Sequence, residues 1–207
     1  MDEKSVEFAS LLASRLCHDL LSPIGALNNG IELLADEQDP EMRQRCLELL
    51  GESASASAAK LKFFRLAFGA AGGFEDQIDT REARSAIDGL LGTHGRVALD
   101  WLVADPVMSK PRMKVLLNLA LIAADALVRG GKLTVGVETD EIVVRAEGER
   151  LVLDPELKTA LLGKTGAEAL TPRAAAAWLV HVLVRQGGGE VQISEPEENI
   201  LVFGASF

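Results

Sequence analysis

Positive charge is scarce in this chain. Asp and Glu number 31 against 21 Lys and Arg, for a formal net charge of −10. Nucleic-acid binding rests on neutralising phosphates with Lys and Arg, and no run of about five or six basic residues offsets the deficit. No nucleic-acid partner is expected. Long apolar runs are missing too. A membrane helix needs about 20 consecutive apolar residues. The longest run here, Ala174 to Val184, is broken by His181 and ends at Arg185. The charged start Met1-Asp2-Glu3-Lys4 does not read as a signal peptide. These absences point to a cytoplasmic protein with no membrane partner. Cysteine is limited to Cys17 and Cys46. On two antiparallel helices joined near Asp39-Pro40 they would stand about 20 Å apart, at about 1.5 Å per residue. That separation excludes a disulfide within the chain, and their spacing suggests no metal site.

What remains is an ordinary globular composition, 48% hydrophobic and 25% charged over 207 residues. The length suits one large domain or two small ones. Residues 3–36 read as one long helix, with Leu20, Ile24, Leu27, Ile31 and Leu34 at coiled-coil-like spacing. Asp36 to Pro40 is the turn, with Pro40 suited to the first helical position. A second helix over 40–69 continues the period through Met42, Cys46, Leu49, Ser53, Ala56, Lys60, Phe63 and Ala67. Apolar residues also lie off these seams, at Leu12, Leu16, Leu21, Leu50, Leu61, Phe64 and Phe68. One hairpin cannot cover so much apolar surface. A homodimer forming a four-helix bundle is the simplest remedy.

Residues 73–207 have a different texture from 1–72 and form the second expected domain. The pattern predicts helices over 79–91, 111–128, 155–162 and 171–186. It predicts strands over 97–103, 133–137, 142–146, 191–194 and 200–203. Helices alternating with a mostly antiparallel sheet read as an α/β sandwich, making the whole chain α+β.

The chemistry points to Leu16-Cys17-His18-Asp19-Leu20-Leu21-Ser22-Pro23. His18 falls outside the apolar seam of its helix, so packing explains it poorly. Asp19 could accept a hydrogen bond from one ring nitrogen and hold the other unprotonated as a nucleophile. Adjacent helix residues do not normally face each other, so that contact needs help. Pro23 has no N–H, which deprives the Asp19 carbonyl of its usual partner, and a mid-helix proline costs about 3 kcal/mol. Folding the hairpin places His18 level with the small residues Ser53 to Ala59, which leave room for another protein or simply let helices pack closely. His94, in a Gly-Thr-His-Gly loop, reads as structural or solvated, and His181, on an apolar helix, as a packing or interface residue.

The stretch His18 to Pro23 resembles the H-box of sensor histidine kinases, and the hairpin around it resembles their dimerisation and phosphotransfer domain. Residues 73–207 resemble their ATP-binding domain, with departures. Asn118 to Ala126 stands at the N-box and keeps the first asparagine, but the magnesium-binding one is Ile122. The adenine-reading aspartate is replaced by Ala146, leaving only Gly148 of its loop. Ala174 to Ala177 replaces a glycine loop over the phosphates, where alanine cannot let the backbone approach. A phosphoacceptor histidine on a bundle beside a degenerate ATPase domain is similar to ChpT-type histidine phosphotransferases of alphaproteobacteria.

That resemblance implies a phosphorelay. His18 would take a phosphoryl group from the aspartate of one receiver domain, belonging to a hybrid kinase, and pass it to the receiver of a response regulator. Mg²⁺ would come with the receiver, so no cofactor, metal or ATP is expected on this chain. Receivers would dock on a flank formed by Arg15, Asp19, Leu21, Ser22, Gly25 and Asn29, with second-helix residues between about 43 and 57. Ser22 stands where related kinases often orient water for phosphatase activity, a role the sequence leaves open. An active histidine kinase and a dimeric adaptor with an inert His18 remain the other readings.

Overall fold

In the computed structural model the described residues are 3–69, 76–92, 95–195, 197 and 199–207. Helix α1 runs Glu3–Asp36, unbroken at Pro23, and α2 runs Pro40–Ala67. Their turn is tied at both ends. The Asp39 side chain accepts from the Glu41 N–H, and Pro40 opens the helix where a missing N–H costs nothing. Arg43 donates to the carbonyls of Leu34 and Glu37, which α1 leaves unpaired as it ends.

The expected seam divides in two. Leu20 is buried, and Leu27 and Leu34 are half-buried, whereas Ile24 and Ile31 stand 50% and 59% exposed. On α2, Cys46, Phe63 and Ala67 are buried, while Met42 and Leu49 are exposed. A seven-residue repeat carries two adjacent stripes, and one antiparallel partner covers only one of them. Gly30 lets the helices close: a Cβ there would lie 2.8 Å from a Leu50 methyl.

The second half is a two-layer sandwich. Its elements are β1 (Gln77–Asp79), α3 (Thr80–Leu91), β2 (Val97–Leu102), β3 (Val107–Ser109), α4 (Lys110–Ala126), β4 (Gly131–Glu138), β5 (Glu141–Glu147), α5 (Pro155–Leu161), α6 (Ala175–Gln186), β6 (Val191–Ile193) and β7 (Ile200–Ser206). The main sheet has the order β2-β4-β5-β7-β6. It is antiparallel except for β2 against β4, which the β3–α4 crossover makes parallel. The pair β1–β3 is a separate three-residue ladder, too short for its periodicity to be read from sequence. Helix α6 begins at Ala175, later than the expected residue 171, because Thr171 to Ala174 form a turn closed by the Ala174 N–H on the Thr171 carbonyl. Gly130 and Gly131, at φ 85° and 143°, make the turn into β4, and a Cβ on Gly131 would meet the Glu147 carbonyl.

Alternate residues of β4, β5 and β7, from Leu133 to Ala205, point into one core under the helices. The end of α2 joins that same core through Phe63, Phe64, Leu66 and Ala67. Phe64 stacks on Phe68 at 5.2 Å and meets Phe63 edge-on at 5.7 Å. Hairpin and sandwich are therefore packed against each other. The boundary expected at 72/73 lies outside the described residues, as does His94.

Candidate functional site

His18 projects from α1 with its side chain 84% exposed. Its Nδ1 lies 3.2 Å from Asp19 Oδ1. The help this contact needs comes from Arg15, one turn earlier, whose Nε donates to the other Asp19 oxygen at 2.8 Å. Arg15 was expected on the docking flank. Instead its guanidinium, 12% exposed, turns toward the sandwich and donates from Nη2 to Asp125 Oδ2 at 3.1 Å. The i,i+4 geometry brings Arg15 onto Asp19, and the end of α4 supplies the second carboxylate. Burial pushes the Arg15 guanidinium down, but Asp125 and Asp19 outweigh it and hold it above its ordinary value. Burial raises the Asp125 carboxyl, against the opposing pull of Arg15.

Pro23 has its predicted consequence, and α2 answers it. The Asp19 carbonyl, deprived of its helical donor, accepts from Lys60 Nζ at 2.8 Å. This explains a lysine on the seam of α2, a signal that was present in the sequence. The run Ser53–Ala59 serves packing in part: Ala59 lies against Gly89 of α3, so close that a Cβ there would sit 3.3 Å away.

An open cleft of about 700 Å³ lies beside His18, lined by Ser14, Arg15, Asp19, Asp125, Thr171, Pro172 and Arg173. One wall is α1 and the other is the sandwich. Below it, Leu21, Ser22 and Asn29 are exposed and Gly25 is half-exposed. At spacings of one, three and four they share one face of α1. Asp125, Thr171 and Arg173 were not legible as site residues, because only the packing of the sandwich on the hairpin brings them to α1.

The resembled nucleotide site is filled. Ile122, Ala146, Ala174, Ala176 and Ala177 are all within the hydrophobic core at 2% exposure or less. Asn118 is fully buried and donates to the carbonyls of Ala67 and Lys114, tying α4 to the end of α2. These residues do not fit a nucleoside triphosphate: Ile122 and the alanines are apolar, and Asn118, whose Oδ1 has no partner, is sealed in the core at 0% exposure. His181 stacks on Trp178 at 5.2 Å and packs over Gly163, where φ is 65° and a Cβ would strike the ring. It packs within its own chain, one of the two roles read for it. Among the described residues no group of three His, Cys, Asp or Glu could hold a metal ion. Both free cysteines are unpaired, and no described helix is long and apolar enough to cross a membrane.

An exposed histidine on a helical hairpin, set against a sandwich with a filled nucleotide pocket, defines a class of molecule. Comparison with known proteins agrees. Residues 80–199 match the histidine phosphotransferase C-terminal domain family. A protein named Protein phosphotransferase ChpT, from Brucella abortus (strain 2308), is 33% identical over 205 residues, covering 97% of this chain and 96% of its own length. A solved bacterial phosphotransferase is 30% identical, superposes with a TM-score of 0.86, and is covered at 98% by all of this chain. The chain belongs to the ChpT-type histidine phosphotransferase family. It is a phosphotransferase of a two-component phosphorelay.

Proposed function

We propose that the chain relays phosphoryl groups between receiver-domain aspartates through His18, as a phosphohistidine carrier and not as an ATP-dependent kinase. The observation that carries this reading is the pairing of His18 Nδ1 with Asp19 on an open helix face. A proton held on Nδ1 by Asp19 leaves the Nε2 lone pair free. Nε2 attacks the phosphorus of the receiver's aspartyl phosphate in line. The P–N bond forms, the P–O bond breaks, and the receiver's carboxylate leaves with the electron pair. The ring becomes a phosphorylated imidazolium, and Asp19 stabilises its charge. Transfer to a second receiver reverses these steps. Such chemistry needs positioning and charge stabilisation more than covalent help from the protein.

In this reading Mg²⁺ belongs to the receiver. Asp19 and Asp125, the carboxylates lining the cleft, are both committed to Arg15. The apolar filling around Ile122 and Ala146 supports a chain that takes no ATP. The exposed stripe of Ile24, Ile31, Met42 and Leu49 supports a homodimer, with a second hairpin covering it in a four-helix bundle. Receivers would dock along Leu21, Ser22, Gly25 and Asn29, in the cytoplasm.

The experiment uses a receiver domain carrying radiolabelled phosphoryl, mixed with the wild type or with His18→Ala, beside a parallel reaction with labelled ATP. Acid-labile label on the wild type alone, and from the receiver alone, is the expected result. Label arriving from ATP would make the chain a kinase. Label on His18→Ala would move the acceptor elsewhere.

A further inference from the structure

We propose that Asp125, at the end of α4, is a positioning residue for His18, acting through Arg15 and Asp19. This rests on the reading of His18 as phosphoryl acceptor and gives the sandwich domain a part in the chemistry.

The chain of contacts is continuous. His18 Nδ1 meets Asp19 Oδ1 at 3.2 Å, Asp19 Oδ2 meets Arg15 Nε at 2.8 Å, and Arg15 Nη2 meets Asp125 Oδ2 at 3.1 Å. Each link uses a different atom. The two Asp19 oxygens serve different partners, so the carboxylate cannot turn toward His18 without keeping its bond to Arg15. Arg15 uses two different nitrogens, so its planar guanidinium is held at both ends. His18 itself is open to solvent, and Asp19 is its side-chain partner. Orientation of the ring therefore passes through Asp19. What orients Asp19 is a guanidinium whose far end is anchored on the other half of the molecule.

The charges support the same role. Two carboxylates flank one guanidinium, Arg173 of the same cleft also acts on Asp125, and Asp19 is the carboxylate that meets the ring which becomes an imidazolium on phosphorylation. Asp19 and Arg15 are also largely shielded, at 17% and 12% exposure, so solvent weakens their pairing less than at an open surface. Without Asp125 the guanidinium keeps one anchor and its plane is free to swing. Asp19 then loses its fixed angle to the Nδ1 proton.

The test compares Asp125→Asn and Asp125→Glu with the wild type as full chains, by rapid-quench transfer from a labelled receiver over a range of receiver concentrations. Imidazole ¹⁵N NMR of the same proteins reads the His18 tautomer, its signals assigned with His18→Ala. For Asp125→Asn the expected result is a transfer rate at saturating receiver lower by about tenfold, within the roughly hundredfold loss that a misplaced reacting group can produce. The half-saturating concentration should stay unchanged. The His18 signals should shift toward a mixture of tautomers, and Asp125→Glu should recover most of the rate. A normal saturating rate and tautomer in Asp125→Asn would overturn the proposal. So would a change confined to the half-saturating concentration, which would make Asp125 a docking residue. Transfer that persists in His18→Ala would overturn the underlying reading, and the proposal with it. Unaltered Asp125→Asn beside a dead His18→Ala would overturn the proposal alone.

Discussion

His18 and the cluster of Ile122, Ala146 and Ala174 to Ala177 sit on opposite sides of one junction and have opposite characters. The His18 side chain is 84% exposed and held by charged groups. The cluster is apolar and closed, with Ala146 at 0% exposure. Under the proposed function, the contrast divides chemistry from stability in this molecule. Around His18, polar groups are kept oriented at some cost to the hairpin, which carries Pro23 inside α1 and Lys60 on the seam of α2. In the cluster, apolar side chains pack together at the positions that the resemblance aligns with a nucleotide site. Even the retained Asn118 now holds α4 to α2.

The comparison can be broken most directly by removing chemistry on one side and restoring polarity on the other. Replacing His18 by Ala should abolish phosphoryl acceptance while moving stability by less than about 0.5 kcal/mol, as befits an exposed side chain. Label transfer and denaturant unfolding read the two effects. Replacing Ala146 by Asp together with Ile122 by Asn should do the reverse. An unpaired carboxyl in that core costs about 3 kcal/mol or more. Unfolding should show the loss, and calorimetry should show no ATP binding. A variant that kept its stability and bound ATP would mean the pocket is only latent.

A smaller effect tests how the open site is supported. Lys60→Met leaves the Asp19 carbonyl with neither the Pro23 N–H nor the ammonium, and should cost about 1–2 kcal/mol. In the Pro23→Ala background the helix regains its own donor. The same lysine change should then cost much less, giving clear coupling in a double-mutant cycle. Additive losses would show that Lys60 acts elsewhere.

The smallest effect is a pH dependence at the junction. The Asp125 carboxyl is held above its ordinary 3.8 in the folded state, chiefly by burial. Between 3.8 and that raised value the folded protein binds more protons than the unfolded chain. The contribution of Asp125 to stability is therefore fully present below 3.8 and falls as pH rises through the folded value. The melting temperature of the wild type relative to Asp125→Asn should decline from pH 4 to pH 7, and a rising difference would reverse the assigned direction.

Much of this molecule is written in local pattern. The spacing of Leu20, Leu27 and Leu34, the turn at Asp39-Pro40, and the apolar strands of the sandwich all carry short-range signals that survive folding. The ladder β1–β3 does not, because three residues hold too little periodicity. His18, Asp19 and Pro23 stand out in the sequence, since a histidine off its seam and a proline inside a helix depart from packing rules. That Ile24 and Ile31 would stand outside the hairpin could not, because identical seam spacing serves either stripe.

Sequence alone therefore determined the elements, the resemblance and the residue proposed as acceptor, because each depends on side chains within a few turns of one another. Only tertiary structure decided what holds that residue. Lys60 is 41 residues from the carbonyl it caps, and Asp125 is 110 residues from Arg15. The first exists only once the two helices of the hairpin pair and the second only once the sandwich packs on them, and no local periodicity encodes where two packed surfaces will bring their charges together.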